Sequence, residues 1–162
     1  MQSCRQSDKK EILTEQQIEF RKERDQAGLR LGAMLNNRDL EQALRYVDSL
    51  HREYPDDPQL YFTEGWAYDM LGDSLRARAA YTKSIGIYDS IIAAKSDFSD
   101  MINRALIVQI LYGMEAYTQA LDDIQSTISS PKDSLAIEQI WREFIFNKEE
   151  LSFAELSNDT IE

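Results

Sequence analysis

The pair Ala43-x3-Val47 returns 34 residues later as Ala77-x3-Tyr81, and again 43 residues further on as Ala120-x3-Ile124. Each copy sits in a stripe of apolar residues at three- and four-residue spacing, which marks one face of a helix. Each is preceded by another apolar stripe and a short polar turn. A small residue at such a position lets two helices approach closely, and the bulky residue one turn on fills the space beside it. A helix pair built this way keeps an apolar face that it cannot bury alone, so neighbouring pairs must stack. That requirement confines the chain to an all-α fold of antiparallel helix pairs.

Helix signals divide the chain accordingly. Thr14 and Gln17 have capping-box spacing, and a helix is expected from there to about Asn36, with Ala27, Leu31, Met34 and Leu35 on its apolar side. Asn36 to Asp39 reads as a turn, with Asp39 as N-cap of a second helix carrying Leu40, Ala43, Leu44, Val47 and Leu50. Pro55 stops that helix at Tyr54, because proline disfavours helical geometry in the residue before it. Asp57 caps a third helix and Pro58 occupies its first position, where a missing N–H costs nothing. Gly72-Asp73 ends the third helix and caps a fourth, whose stripe (Ala77, Tyr81, Ser84, Ile85, Tyr88, Ile91, Ile92) predicts a helix to about Lys95, some two turns longer than its counterpart. Ser96 to Asp100 reads as a connection. Helices are expected over about Met101–Gly113 and Tyr117–Ile128, with Gly113 to Ala116 as the turn. Pro131 opens a last helix to about Asn147, with Leu135, Ile137, Ile140, Trp141, Phe144 and Ile145 on its apolar side, suited to cover the final pair. The domain reading is a tether over 1–13, a helical domain over 14–148 and an acidic tail over 149–162.

Composition excludes several function classes. A formal net charge of −11 repels nucleic acid. The one basic cluster, Arg21, Lys22 and Arg24, is interleaved with Glu19, Glu23 and Asp25 and reads as a solvated helix face. No run approaches the roughly 18 apolar residues of a spanning helix. His51 is the sole histidine and Cys4 the sole cysteine. One of each supplies neither a zinc site nor a nucleophile and base held together. The glycines are isolated, so no phosphate loop is present. Asp122-Asp123 and Glu149-Glu150 are neighbours that point apart on a helix. No metal, cofactor or catalytic residue is expected. Ser3-Cys4 followed by a polar stretch looks like the remnant of a bacterial lipoprotein signal, in which Cys4 would carry the lipid and place the chain in the cell envelope. Without that anchor the cytoplasm is the alternative.

The second segment resembles the tetratricopeptide repeat family. Tyr61, Gly65 and Tyr68 stand where the family has its large aromatic, glycine and tyrosine; Gly72-Asp73 matches its turn, and Ala77-x3-Tyr81 its packing pair. In the first segment Ala43-x3-Val47 and Pro55 fit, and in the third Ala120-x3-Ile124 with Ile107, Val108 and Leu111. The interval from Ala43 to Ala77 is the family's period. Glu64 replaces the usual leucine, and about nine residues are inserted before Ala120. The resemblance implies a short solenoid of about three pairs with a capping helix, and a non-catalytic scaffold that binds a protein or peptide. It also implies Tyr61, Tyr68 and Tyr81 as fillers between neighbouring pairs. A groove would be lined by Gly32 and Leu35, then Phe62, Trp66 and Asp69, then Ala105, Gln109 and Tyr112, with Phe62, Trp66 and Tyr112 as aromatic anchors. The Lys, Arg and Asn with which some members clamp a terminal carboxylate are absent from these positions.

Overall fold

The computed structural model describes residues 14–140. Among them every regular element is a helix: α1 Glu15–Asn36, α2 Leu40–Glu53, α3 Pro58–Met70, α4 Ser74–Ala94, α5 Phe98–Tyr112 and α6 Met114–Thr127. A further helix, α7, begins at 131 and runs through 140. The part of the expected last helix beyond 140, the tether over 1–13 and the tail over 149–162 lie outside the described residues.

Local chemistry sets most boundaries. Thr14 accepts from the Gln17 amide while the Gln17 side chain accepts from Thr14, which completes the capping box of α1. Asp57 accepts from the Gln59 amide at 2.9 Å and Asp73 from the Arg76 amide at 3.1 Å. The turns that close α1 and α3 share one geometry. Arg38 (φ 59°) and Gly72 (φ 79°) occupy the left-handed region, and the next amide, Asp39 or Asp73, reaches back to the carbonyl of Met34 or Tyr68. Arg38 and Gly72 are 34 residues apart, so the backbone repeats with the period of the alanines. Glycine takes this conformation at little cost, and arginine takes it under strain.

Three expectations are corrected. Asp39 precedes α2 but makes no side-chain capping bond; its φ of −79° and ψ of 56° fall outside the extended region typical of an N-cap. Helix α5 starts at Phe98, three residues before the predicted Met101, because Asp97 accepts from the Ser99 amide at 2.9 Å and caps it. Helix α6 starts at Met114, because Gly113 (φ 85°) makes the whole turn alone.

The core is a row of three clusters. The first joins α1, α2 and α3 through Ala27, Leu31, Leu35, Ala43, Val47, Leu50, Leu60 and Ala67. The second joins α3, α4 and α5 through Ala77, Tyr81, Tyr88 and Ile107, with Phe62 and Tyr68 against them. The third joins α5, α6 and α7 through Ala105, Tyr117, Leu121, Ile124 and Ile137. Helices α3 and α5 each contribute to two clusters, which makes the row continuous. Ala43 and Ala77 are both fully buried. Tyr81 packs against Gly65 of α3 within its own pair and also belongs to the cluster that reaches Ile107 of α5. Its hydroxyl donates to Asp69 Oδ2 at 2.9 Å.

Burial also sets an alkaline limit on stability. It holds the Tyr88 phenol at about 12, with the Gln59 hydrogen bond acting the other way, and pushes Tyr81 up further, helped by the Asp69 carboxylate. Unfolded phenols ionise near about 10. The folded chain therefore retains protons that the unfolded chain gives up. Stability from these groups is complete below about pH 10 and is lost as pH climbs through the folded values. In an alkaline titration, the late part of the phenolate absorbance should appear together with loss of helical circular dichroism, and Tyr88→Phe should shrink it. A single phenolate transition centred at about pH 10 with the helices intact contradicts this assignment.

Candidate interaction groove

Helices α1 and α3 lie side by side and leave an open groove of about 220 Å³ between them. One wall is the α1 stripe of Gly28, Leu31, Gly32 and Leu35; the other is Gln59, Phe62, Thr63 and Trp66 of α3. A Cβ built on Gly28 or Gly32 meets nothing within 4 Å, so the wall is recessed by missing side chains and not by helix contact. Trp66 is 48% exposed, and its ring lies 6.3 Å from that of Phe62. Phe62 is half-buried and also touches the Tyr81 ring, at 6.0 Å between centroids. The groove thus has an apolar floor tied to the core and one large aromatic at its mouth.

A polar chain closes one end. Arg24 of α1 donates from Nε to Asp57 Oδ2 at 2.7 Å and from Nη2 to Asp57 Oδ1 at 3.1 Å, a bidentate pair. Asp57 caps α3, so one carboxylate fixes both the start of α3 and its position against α1. Gln59 continues the chain by donating from Nε2 to the Tyr88 hydroxyl at 2.6 Å. Arg24 belonged to the cluster expected to be a solvated helix face; half of that expectation is corrected here, since its side chain is only 36% exposed and holds a tertiary partner.

The structure brings together Gly32, Leu35, Phe62 and Trp66. The other residues implied for the groove lie elsewhere. Asp69 is exposed but tied to Tyr81. Ala105 is buried in the third cluster. Gln109 donates from Nε2 to Met114 Sδ at 2.8 Å. Tyr112 is exposed, with the Arg78 guanidinium 5.7 Å from its ring centre. Arg24, Gly28, Gln59 and Thr63 also line the groove and were missed from sequence; the spacing Gly28-x3-Gly32, two glycines on one helix face, was the available signal. Cys4 lies outside the described residues.

On the opposite side of α3, His51 of α2 pairs through Nε2 with Glu64 Oε2 at 3.0 Å and stacks on Tyr61 at 4.1 Å. Glu64, which departs from the family's leucine, thus has a partner on the adjacent helix. His51 Nδ1 is buried without a hydrogen-bond partner among the described residues. No group of three or more His, Cys, Asp or Glu side chains among the described residues could hold a metal ion, and no described helix is long and apolar enough to cross a membrane.

No family profile, no curated protein and no solved structure matches this chain.

Proposed function

We propose that this chain is a non-catalytic protein–protein interaction scaffold of tetratricopeptide type, and that an apolar side chain of a peptide partner seats between α1 and α3 against Trp66. The observation that carries the reading is the groove: a wall recessed at Gly28 and Gly32 facing a tryptophan left half in water. Large aromatics of this kind anchor interfaces, because they bury much area at low conformational cost. The type assignment is supported by the 34-residue repeat of Ala43 and Ala77, by the recurrence of the left-handed turn at Arg38 and Gly72, and by the contact of Gly65 with Tyr81.

The test uses two variants with opposite effects on the groove. Partners are captured from the native cell with the full chain and compared with those retained by Trp66→Ala and Gly32→Leu. Trp66→Ala removes the anchor. Gly32→Leu fills the recess, and since a Cβ there meets nothing it should fold at least as well as the parent. For a partner held by this groove, each variant should weaken binding by about 2 kcal/mol, roughly thirtyfold in Kd. Full retention of every partner by both folded variants rules the groove out.

A further inference from the structure

The seam between the first two helix pairs, where α3 packs on α2, buries Val47 and Leu50 of α2 with Leu60 and Ala67 of α3. Beside these apolar residues sit two polar ones. The side chains of His51 and Glu64 are only 18% and 24% exposed, and they meet at 3.0 Å. Apolar contacts specify an alignment weakly, since one methyl group serves nearly as well as another. Sliding α3 along α2 by one turn, about 5.4 Å, exchanges one apolar neighbour for the next. A single donor and a single acceptor meet in one alignment only, which is how buried polar groups fix register between helices.

The surroundings of the imidazole select one of its two neutral forms. A carboxylate only accepts, and a neutral imidazole has one N–H and one bare nitrogen. Nε2 faces Glu64 Oε2, so the N–H belongs there and donates to Glu64. Nδ1 is buried without a hydrogen-bond partner among the described residues. An N–H at that atom would be a buried donor with nothing to accept it, which is costly. Both ends of the ring therefore favour the same tautomer. Stacking on Tyr61 at 4.1 Å orients the ring plane. The Tyr61 hydroxyl donates to the Pro55 carbonyl at 3.2 Å, which ties that platform to the turn between α2 and α3.

We propose that His51, held as its Nε2–H tautomer, and Glu64 form a key that sets the register of the second helix pair on the first without adding net stability. Each group gives up water to make the bond, so the pair gains little overall. Removing one partner is costly, whereas replacing both by apolar groups is neutral or favourable. Glu64, where the resemblance leads to a leucine, is then a residue kept for alignment. The inference concerns the α2–α3 side and stands whether or not a peptide occupies the α1–α3 groove.

Nitrogen-15 NMR of the full chain at about pH 8 tests the tautomer directly, because His51 is the sole histidine. The ring should show one form, protonated at Nε2. Thermal melts and leucine methyl spectra are then compared for the parent, Glu64→Leu, and Glu64→Leu combined with His51→Leu. Glu64→Leu strands the Nε2–H and should lower the melting temperature by roughly 5 °C. The double variant should melt at or above the parent, yet give more than one set of signals for Leu50 and Leu60, the mark of alternative alignments. A ring protonated at Nδ1, or shared evenly between its nitrogens, overturns the proposal without any variant having to fold. A double variant with a single, parent-like set of signals also overturns it, because the apolar contacts then set the register alone. So does one that melts as low as Glu64→Leu, because the pair then carries net stability.

Discussion

Gly65→Ala should destabilise the protein by about 1–3 kcal/mol, the cost of forcing extra volume into a packed site. For a chain of this size that lowers the melting temperature by roughly 2–4 °C per kcal/mol. The sign is informative, because the same substitution in an open helical position stabilises by about 0.5–1 kcal/mol. A Cβ at Gly65 stands 2.6 Å from two atoms of the Tyr81 ring and 3.0 Å from a third. The ring has no easy retreat: Tyr81 is buried, its hydroxyl is held by Asp69, and Phe62 lies against it. At Gly28 a Cβ meets nothing, so Gly28→Ala in the same chain should show the ordinary gain. The pair of variants separates steric conflict from helix propensity. A double-mutant cycle completes the case: in a Tyr81→Ala background the cost at Gly65 should vanish. Thermal melts of the four proteins measure it, and a neutral or stabilising Gly65→Ala would falsify the close contact.

This contact shows how far sequence carries the fold. That Gly65 is a special position followed from the resemblance, which puts the family's glycine there. That Tyr81 fills the approach from within the same pair did not, because periodicity fixes which face a residue occupies and leaves open which neighbour it meets. Boundaries behaved similarly. Pro55, Asp57-Pro58 and Gly72-Asp73 act on the backbone within a few residues of themselves and were legible. The start of α5 was not: Ser96 to Asp100 is polar enough to pass for a loop, yet Asp97 captures the Ser99 amide and begins a helix inside it. At Gly113 one residue in the left-handed region replaced an expected four-residue turn.

The groove was legible in its aromatics and not in its shape. Phe62 and Trp66 announce themselves by size and by position on α3. The recess opposite them arises from Gly28 and Gly32, and a missing side chain becomes informative only when the facing helix is known. Ala105, Gln109 and Tyr112 were assigned by extending one register across the insertion that precedes Ala120. Ala105 went inward because α6 and α7 both close on that side of α5. The polar chain through Arg24, Asp57, Gln59 and Tyr88 links residues 33 and 29 positions apart, and no local pattern marks such pairs.

That polar chain gives the second large effect. Asp57→Ala should cost on the order of 2–4 kcal/mol, because one side chain serves two ends. As N-cap of α3 it contributes about 0.5–2 kcal/mol. As the bidentate partner of Arg24 it makes charge-assisted bonds worth about 1.5–3 kcal/mol in a sheltered site, reduced here because Arg24 can still reach water. Two further variants divide the total. Asp57→Asn keeps an acceptor for the Gln59 amide and gives up the charge, so it should retain the cap and lose most of the pairing. Arg24→Met keeps the cap intact and removes only the pairing, so its cost should be smaller than that of Asp57→Ala. Denaturant titrations of the three variants read the order directly. The arrangement also predicts a link from stability to binding. Arg24 and Asp57 hold α1 against α3 at the end of the groove, so Arg24→Met, which alters only the lining at that end, should loosen both walls and weaken a peptide seated against Trp66. A partner that binds Arg24→Met as tightly as the parent would show that the ion pair stabilises the start of α3 without shaping the groove.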